Sequence, residues 1–263
     1  MGRLGRTGTG AGAGGTGGIG GPAAYPCEGR IVCEDFEDVP VGQAPGAPWE
    51  ALETKGSVLV DDTRAFSGAH SLQVSIQATA PDENTYRRAL LAISGPPLIP
   101  LTKNTVFGRF MLFTDRIPDK TVHWNIARGA GVIDSVPFSY SYGGMGKLMA
   151  SYFGPTTPLV TDCWQTEDQL VPTDRWVCIG FEFDGSNDEM RFWLDGTEIP
   201  ELHVVGLDKT SATCTESAID GKWIAPEFES IGVGWTSVHH DAAGAHDAWI
   251  DDVILDDEPI PCP

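Results

Sequence analysis

Side chains able to move protons are concentrated in a few stretches of the chain. His123 stands beside Trp124 at the start of a short alternating run, and residues 138–147 carry Tyr140, Tyr142 and Lys147. An imidazole, a phenol and an ammonium group can act as base, acid and charge neutraliser in general acid–base chemistry. Each also has a plain structural reading: a satisfied strand histidine, packing aromatics and a lysine that keeps a sheet face soluble. Glu182 and Asp184 are two apart on one expected strand face, the spacing of a retaining glycoside hydrolase pair with carboxyl groups about 5 to 5.5 Å apart. Asp184, however, leads straight into Gly185-Ser186-Asn187-Asp188, which reads as a hairpin tip. His239, His240, Asp241 and His246 offer ligands to a transition metal, but their Gly/Ala-rich setting reads first as an exposed loop.

Short strands must position these groups. From Cys27 onward the chain consists of brief alternating runs separated by Gly, Pro, Asp and Asn, the texture of an all-β sandwich or jelly roll. Ser71-Leu72-Gln73-Val74-Ser75-Ile76-Gln77 alternates strictly and puts Leu72, Val74 and Ile76 on one buried face. The run 106–113 (VFGRFMLF) places Arg109 on the face of Phe107, Met111 and Phe113, where a lone arginine needs a partner. Further strands are expected at 123–127, 147–153, 177–183, 190–194, 229–235 and 248–255. Asp184-Gly185 and Asp195-Gly196 are turn signals that bracket one hairpin strand. Helical periodicity is nearly absent, with at most a turn near 215–219.

Composition narrows the partners. With 37 acidic and 17 basic residues the formal charge is −20, which repels phosphate backbones and argues against nucleic acid. No apolar run approaches the roughly twenty residues of a membrane-spanning helix, so no membrane insertion is expected. Residues 1–22 are mostly Gly, Thr and Ala and read as a flexible linker or surface tether. The GTGAGAGGTGGIGG run within them is not a phosphate loop, because no strand precedes it and no GK[ST] follows. Residues 23–263 read as one domain. Six cysteines without zinc or redox spacing imply disulfides and an oxidising, extracellular location; the opening MGRLGRTGTG has no apolar signal core, so secretion is inferred from the cysteines.

Three segments taken together resemble one family: Glu34-Asp35-Phe36-Glu37 with Phe66-Ser67-Gly68-Ala69-His70-Ser71, then Phe192-Trp193-Leu194-Asp195-Gly196 through Pro200, then Gly232-Val233-Gly234-Trp235 through Trp249-Ile250-Asp251-Asp252. Over about Cys33 to Cys262 the chain resembles the cellulose-induced secreted fungal proteins and their bacterial relatives, whose jelly roll is similar to that of glucuronan and alginate lyases. The resemblance implies a concanavalin-like β-sandwich of two antiparallel sheets and a structural calcium ion at Glu37, Ser67, His70 and Asp251. There carboxylates and backbone carbonyls would supply the oxygen ligands that a hard cation takes; the alternative is a solvated acid and a simple turn. It also implies a Cys178–Cys262 disulfide. Three pairings remain open for Cys27, Cys33, Cys163 and Cys214, with Cys27–Cys33 and Cys163–Cys214 expected by proximity.

Lyases of this type break uronic-acid chains by β-elimination: one group neutralises the carboxylate, a base takes the C5 proton, and an acid protonates the leaving O4. The positions matching the family's cleft are His123, Ser139, Ser141, Met145 and Lys147. His123 agrees with the family, whereas Ser139, Ser141 and Met145 replace His, Arg and Gln and can neither neutralise a carboxylate nor accept that proton. A substitute set is His123 as base, Lys147 or Arg109 at the carboxylate, and Tyr142 or Tyr140 as proton donor. A polyanion approaching a surface of −20 also needs a local basic patch, for which Arg109, Arg128, Lys147 and Arg191 are available. For a neutral glucan, Tyr152, Trp193 and Trp235 are candidates to stack on sugar faces, against the commoner outcome that such tryptophans are core. The sequence thus predicts a carbohydrate-active protein, either a lyase of uronic-acid polysaccharide or a non-catalytic, calcium-stabilised carbohydrate-binding protein.

Overall fold

Strict alternation in strand after strand gives each sheet one oily face, and two such sheets bury those faces against each other. The computed structural model describes residues 27, 29–80, 86–154, 161–164, 170–206, 223–238 and 244–263. In chain order its strands begin with β1 (Val32–Glu34), β2 (Glu50–Thr54), β3 (Gly56–Asp61), β4 (Ser71–Ile76), β5 (Arg87–Ile93) and β6 (Thr105–Thr114). They continue with β7 (His123–Ile133), β8 (Val136–Gly144), β9 (Leu148–Phe153), β10 (Thr161–Trp164) and β11 (Trp176–Asp184). The last are β12 (Glu189–Leu194), β13 (Thr197–Glu198), β14 (Val204–Val205), β15 (Glu227–Val238) and β16 (His246–Asp256).

A nine-stranded antiparallel sheet runs β13-β12-β11-β6-β16-β4-β3, with β1 added to β16 and β14 to β12. The facing seven-stranded sheet runs β10-β9-β8-β7-β15-β5-β2. The expected β-sandwich is therefore present, and the pairing of β1 with β16 joins the first strand to the last. Asp195-Gly196 turns β12 into β13, with Gly196 at φ 75°. Asp184 caps the β11–β12 turn by accepting hydrogen bonds from the Ser186 N–H and hydroxyl and the Asn187 amide.

Between the sheets lie Leu72, Val74 and Ile76, as alternation requires, together with Phe110, Leu112, Ile179 and Phe181. Trp124 stacks on Trp235 at 4.8 Å, and Tyr142 stacks on Phe183 at 5.8 Å. Cys178 bonds Cys262 and Cys27 bonds Cys33. Cys163 is also disulfide-bonded, while Cys214 lies outside the described residues. Also outside them are the 1–22 linker, the turn expected near 215–219, and His239, His240 and Asp241.

Candidate functional site

Five adjacent strands of the seven-stranded sheet, β9, β8, β7, β15 and β5, turn a polar outer face to solvent. A groove of about 500 Å3 crosses it, lined by Tyr86, Arg88, His123, Asn125, Arg128, Ser139, Ser141, Ser151, Phe153, Thr236 and Val238. Its size is within the roughly 300–1,000 Å3 of small-molecule sites. Register explains the lining. Arg128 lies opposite Ser141, and Ser141 lies opposite Ser151. A second row sets Arg88 beside Thr236 and Thr236 beside Asn125.

His123 and Arg128 are five residues apart, so simple alternation would place them on opposite faces. A bulge between Asn125 and Ala127 resets the phase, sending Trp124, Ile126 and Ala127 inward while Asn125 and Arg128 face the groove. Gly143 makes the bulge possible, since a Cβ there would lie 1.9 Å from the Trp124 carbonyl oxygen.

The electrostatics of the groove are opposite to those of the whole chain. Among the described residues its lining holds two arginines and a histidine and no carboxylate. The Arg128 guanidinium makes no hydrogen bond or ion pair among the described residues. Burial, with a contribution from the neighbouring Arg88 charge, pushes its pKa below the usual arginine range. Such a cation gains most from an anionic ligand that reaches it. His123 Nε2 lies 3.5 Å from the Ser151 hydroxyl, and that serine in turn hydrogen-bonds Asp162, whose carboxyl is pushed up to about 6 by burial. Phe153, 51% exposed, offers an apolar surface at one margin.

Other candidate residues lie elsewhere. Ser139 and Ser141 share the groove with His123, and strand alternation therefore turns Tyr140 and Tyr142 the other way. Both tyrosines are buried between the sheets, Tyr142 donating its hydroxyl to the Leu202 carbonyl at 3.0 Å. Burial raises both phenols well above 10, so neither is a proton donor to this groove. Tyr152 and Trp235 are likewise interior, and burial pushes Tyr152 up to about 12. Lys147 and Met145 sit in the β8–β9 turn, where the Lys147 carbonyl accepts the Met145 N–H, and neither lines the groove.

Arg109 is fully buried on β6 of the opposite sheet. Arg191, also on that sheet, bonds Glu189 at 2.6 Å and approaches Glu182 and Glu198. Glu182, pushed up to about 7 by burial, belongs to this outer ionic cluster, so the Glu182–Asp184 pair does not face the groove. A separate cavity of about 520 Å3 lies under the tail at residues 259–263, beside Phe107, Trp193 and Asp195. Its described lining residues include no basic or imidazole group. Sequence reasoning passed over Tyr86 and Arg88, because nothing local shows that β5 lies two strands from β7.

Glu37 and Asp251 both reach the 66–70 loop that carries Ser67 and His70. Asp251 Oδ2 accepts the N–H groups of Phe66 and Ser67 at 2.7 and 3.1 Å, and Glu37 Oε1 accepts those of Ala69 and His70 at 2.8 Å. The close approach requires Gly68, at φ 60°, because a Cβ there would fall 2.3 Å from the Glu37 carboxylate. Asp251 is fully buried and pushed up to about 7 by burial, with a smaller contribution from the Asp252 charge. Asp252 Oδ2 is buried without a hydrogen-bond partner. Among the described residues no group of three or more His, Cys, Asp or Glu side chains is placed to hold a metal ion, so the calcium expectation rests on the orphaned Asp252 oxygen beside Asp251, which suits a hard cation.

No family model matches the sequence, and no curated protein matches it either. Among solved structures the fold is similar to that of the cellulose induced protein Cip1, with a TM-score of 0.60 and 16% identity over 88% of this chain and 100% of that one. It is also similar to a glycoside hydrolase family protein from Mycobacterium thermorestibile, with a TM-score of 0.51 and 15% identity over 86% and 99% of the two chains. A botulinum neurotoxin serotype D/C binding domain gives a TM-score of 0.51 and 10% identity, over 88% of this chain and 49% of that one. At these identities the likeness is one of fold.

Proposed function

We propose that the groove on the seven-stranded sheet binds an acidic polysaccharide and cleaves it by β-elimination next to a uronate. One observation carries the reading: on a chain of net charge −20, Arg88, Arg128 and His123 line a groove whose described lining residues include no carboxylate. Fold neighbours described as cellulose-induced and as a glycoside hydrolase family protein support a carbohydrate ligand.

In this reading Arg128 binds the uronate carboxylate and stabilises the charge that develops when C5 is deprotonated. His123 takes the C5 proton as a neutral imidazole, and the freed electron pair forms the C4–C5 double bond and expels O4. Tyr86, the tyrosine in the groove lining, delivers the proton to O4 and takes the place expected for Tyr142. Ser139, Ser141, Ser151, Asn125 and Thr236 meet sugar hydroxyls, and Phe153 packs on a ring face. Ser151, between Asp162 and His123, orients the base. Glu37, Ser67, His70 and Asp251 would hold calcium, which when bound neutralises the buried carboxylates and ties the 66–70 loop to β16.

The test is incubation of the purified protein with glucuronan, alginate, pectate and cellulose while following ultraviolet absorbance of the unsaturated product. Product from one uronan and none from cellulose is expected. Uronan binding without product would leave the non-catalytic carbohydrate-binding reading, and cellulose binding alone would sink both the uronate and the elimination.

A further inference from the structure

A second polar cavity, of about 270 Å3, opens at one end of the sandwich between the two sheets, where β5, β15 and β16 meet the segment after β6. Arg87, Arg116, Asp119, Ser237 and His246 are among its lining residues. At roughly 30 Å3 per water the space corresponds to about nine waters, enough for a small organic or inorganic ion. It is distinct from the groove: Arg87 and Ser237 face inward from the strands whose next residues, Arg88 and Thr236, face the groove.

Two side chains here are buried without the partners that burial demands. Arg87 is 2% exposed; its Nη1 donates to the Gln77 carbonyl at 2.8 Å, but Nε has no acceptor and no described carboxylate pairs with the guanidinium. His246 is 4% exposed and lies against the Trp235 ring at 4.1 Å, with neither ring nitrogen hydrogen-bonded. In either neutral tautomer it therefore holds one unused donor and one unused acceptor. Arg116 adds a second guanidinium at the mouth, donating to the Ala245 carbonyl. Asp119 Oδ1 is already taken by the Thr121 N–H and hydroxyl. Buried cations and polar groups in folded proteins are almost always paired, and among the described residues Arg87 Nε and the His246 ring lack the partners that an acceptor-rich anion would supply.

We propose that this cavity is a binding site for a small oxyanion, a carboxylate or phosphate, held by Arg87 and Arg116 and completed by hydrogen bonds from Ser237 and His246. Burial is the main cause that pushes His246 down to about 4; the Arg116 and Arg87 charges add to it, and Asp115 and Asp247 oppose them. A bound anion would offset the two guanidinium charges and accept hydrogen bonds from the unused donors of Arg87 and His246. The same geometry admits a free metabolite carboxylate, the terminal uronate of a released sugar, or inorganic phosphate.

The test is isothermal titration of the full chain with sodium acetate, sodium glucuronate and inorganic phosphate at constant ionic strength, with glucose as the neutral control. Saturable binding of at least one anion and none of glucose is expected, and the preferred anion identifies the source. Arg87→Gln should weaken the binding that moves His246 by about tenfold or more, the scale of one charge-assisted hydrogen bond, whereas Arg128→Gln, which removes the groove's own uronate contact, should leave this His246-linked binding unchanged. Independently of any variant's folding, the His246 imidazole NMR resonances of the native chain should shift saturably with the anion. Absence of anion binding, unchanged affinity in Arg87→Gln, or an unmoved His246 resonance at saturation would each overturn the site.

Discussion

With calcium bound at Asp251 as proposed, removing it should destabilise the protein far more at pH 8 than at pH 5, because Asp251 is the group that couples the two. Its carboxyl is fully buried and held at about 7, against an ordinary value of 3.8. The metal-free folded protein therefore keeps the Asp251 proton more tightly than the unfolded chain does. It is relatively stable below about pH 4 and loses stability as pH rises from there through about 7, where the carboxylate must ionise in place. A shift of about three units at 1.36 kcal/mol each makes that cost about 4 kcal/mol at pH 8. Calcium binds the ionised form, so between pH 8 and pH 5 it must increasingly displace a proton. Two units below the folded pKa weaken it about a hundredfold, or about 3 kcal/mol. At roughly 2–4 °C per kcal/mol for a domain of this size, the gap between calcium-loaded and chelated melting temperatures should be about 6–12 °C wider at pH 8. Differential scanning calorimetry with calcium or a chelator at the two pH values reads this directly. Glu37→Gln, which keeps an acceptor for the Ala69 and His70 N–H groups, should shrink the calcium gap at pH 8. Equal gaps at both pH values, or no gap at all, would remove Asp251 as a ligand.

The remaining expectations concern the groove and its buried surroundings. His123→Ala should cut turnover of the uronan by about 10²–10⁴, the usual share of a general base, with a melting temperature close to that of the parent; full turnover in this variant would eliminate the base. Arg128→Gln should weaken uronan binding roughly tenfold or more while leaving the melt unchanged or higher, since the guanidinium makes no hydrogen bond among the described residues; a marked loss of stability would assign Arg128 to the fold. Tyr142→Phe should lower stability by about 1–3 kcal/mol, because the Leu202 carbonyl loses its buried donor, and leave turnover per folded molecule intact. Tyr86→Phe should do the reverse in a kinetic assay scored beside a melt.

The architecture was legible because period-two alternation is written directly in the residues. Leu72, Val74 and Ile76 go inward, and the Asp195-Gly196 turn falls where its residue types place it. The same alternation shows why part of the proposed site was misplaced. Ser139 and Ser141 on the groove force Tyr140 and Tyr142 inward, so a cleft holding all four violates the pleat. Trp235 and Tyr152 are interior for the same reason. Arg128 was harder to place, because its side of the sheet depends on a bulge opposite Gly143 whose presence only the paired strands reveal. Arg88 and Tyr86 required knowledge of strand order, which is non-local. Glu37, Ser67, His70 and Asp251, far apart in sequence, were grouped by resemblance alone, and the β1–β16 pairing explains how the chain's two ends meet there.

The most direct test of the central claim is a crystal structure of His123→Ala soaked with a uronic-acid tetrasaccharide. The sugar should lie across β9, β8, β7, β15 and β5 with one carboxylate in hydrogen-bond contact with Arg128. An oligosaccharide bound instead on the nine-stranded sheet, beside Trp193, or in the groove with its carboxylates turned away from Arg128, would contradict it.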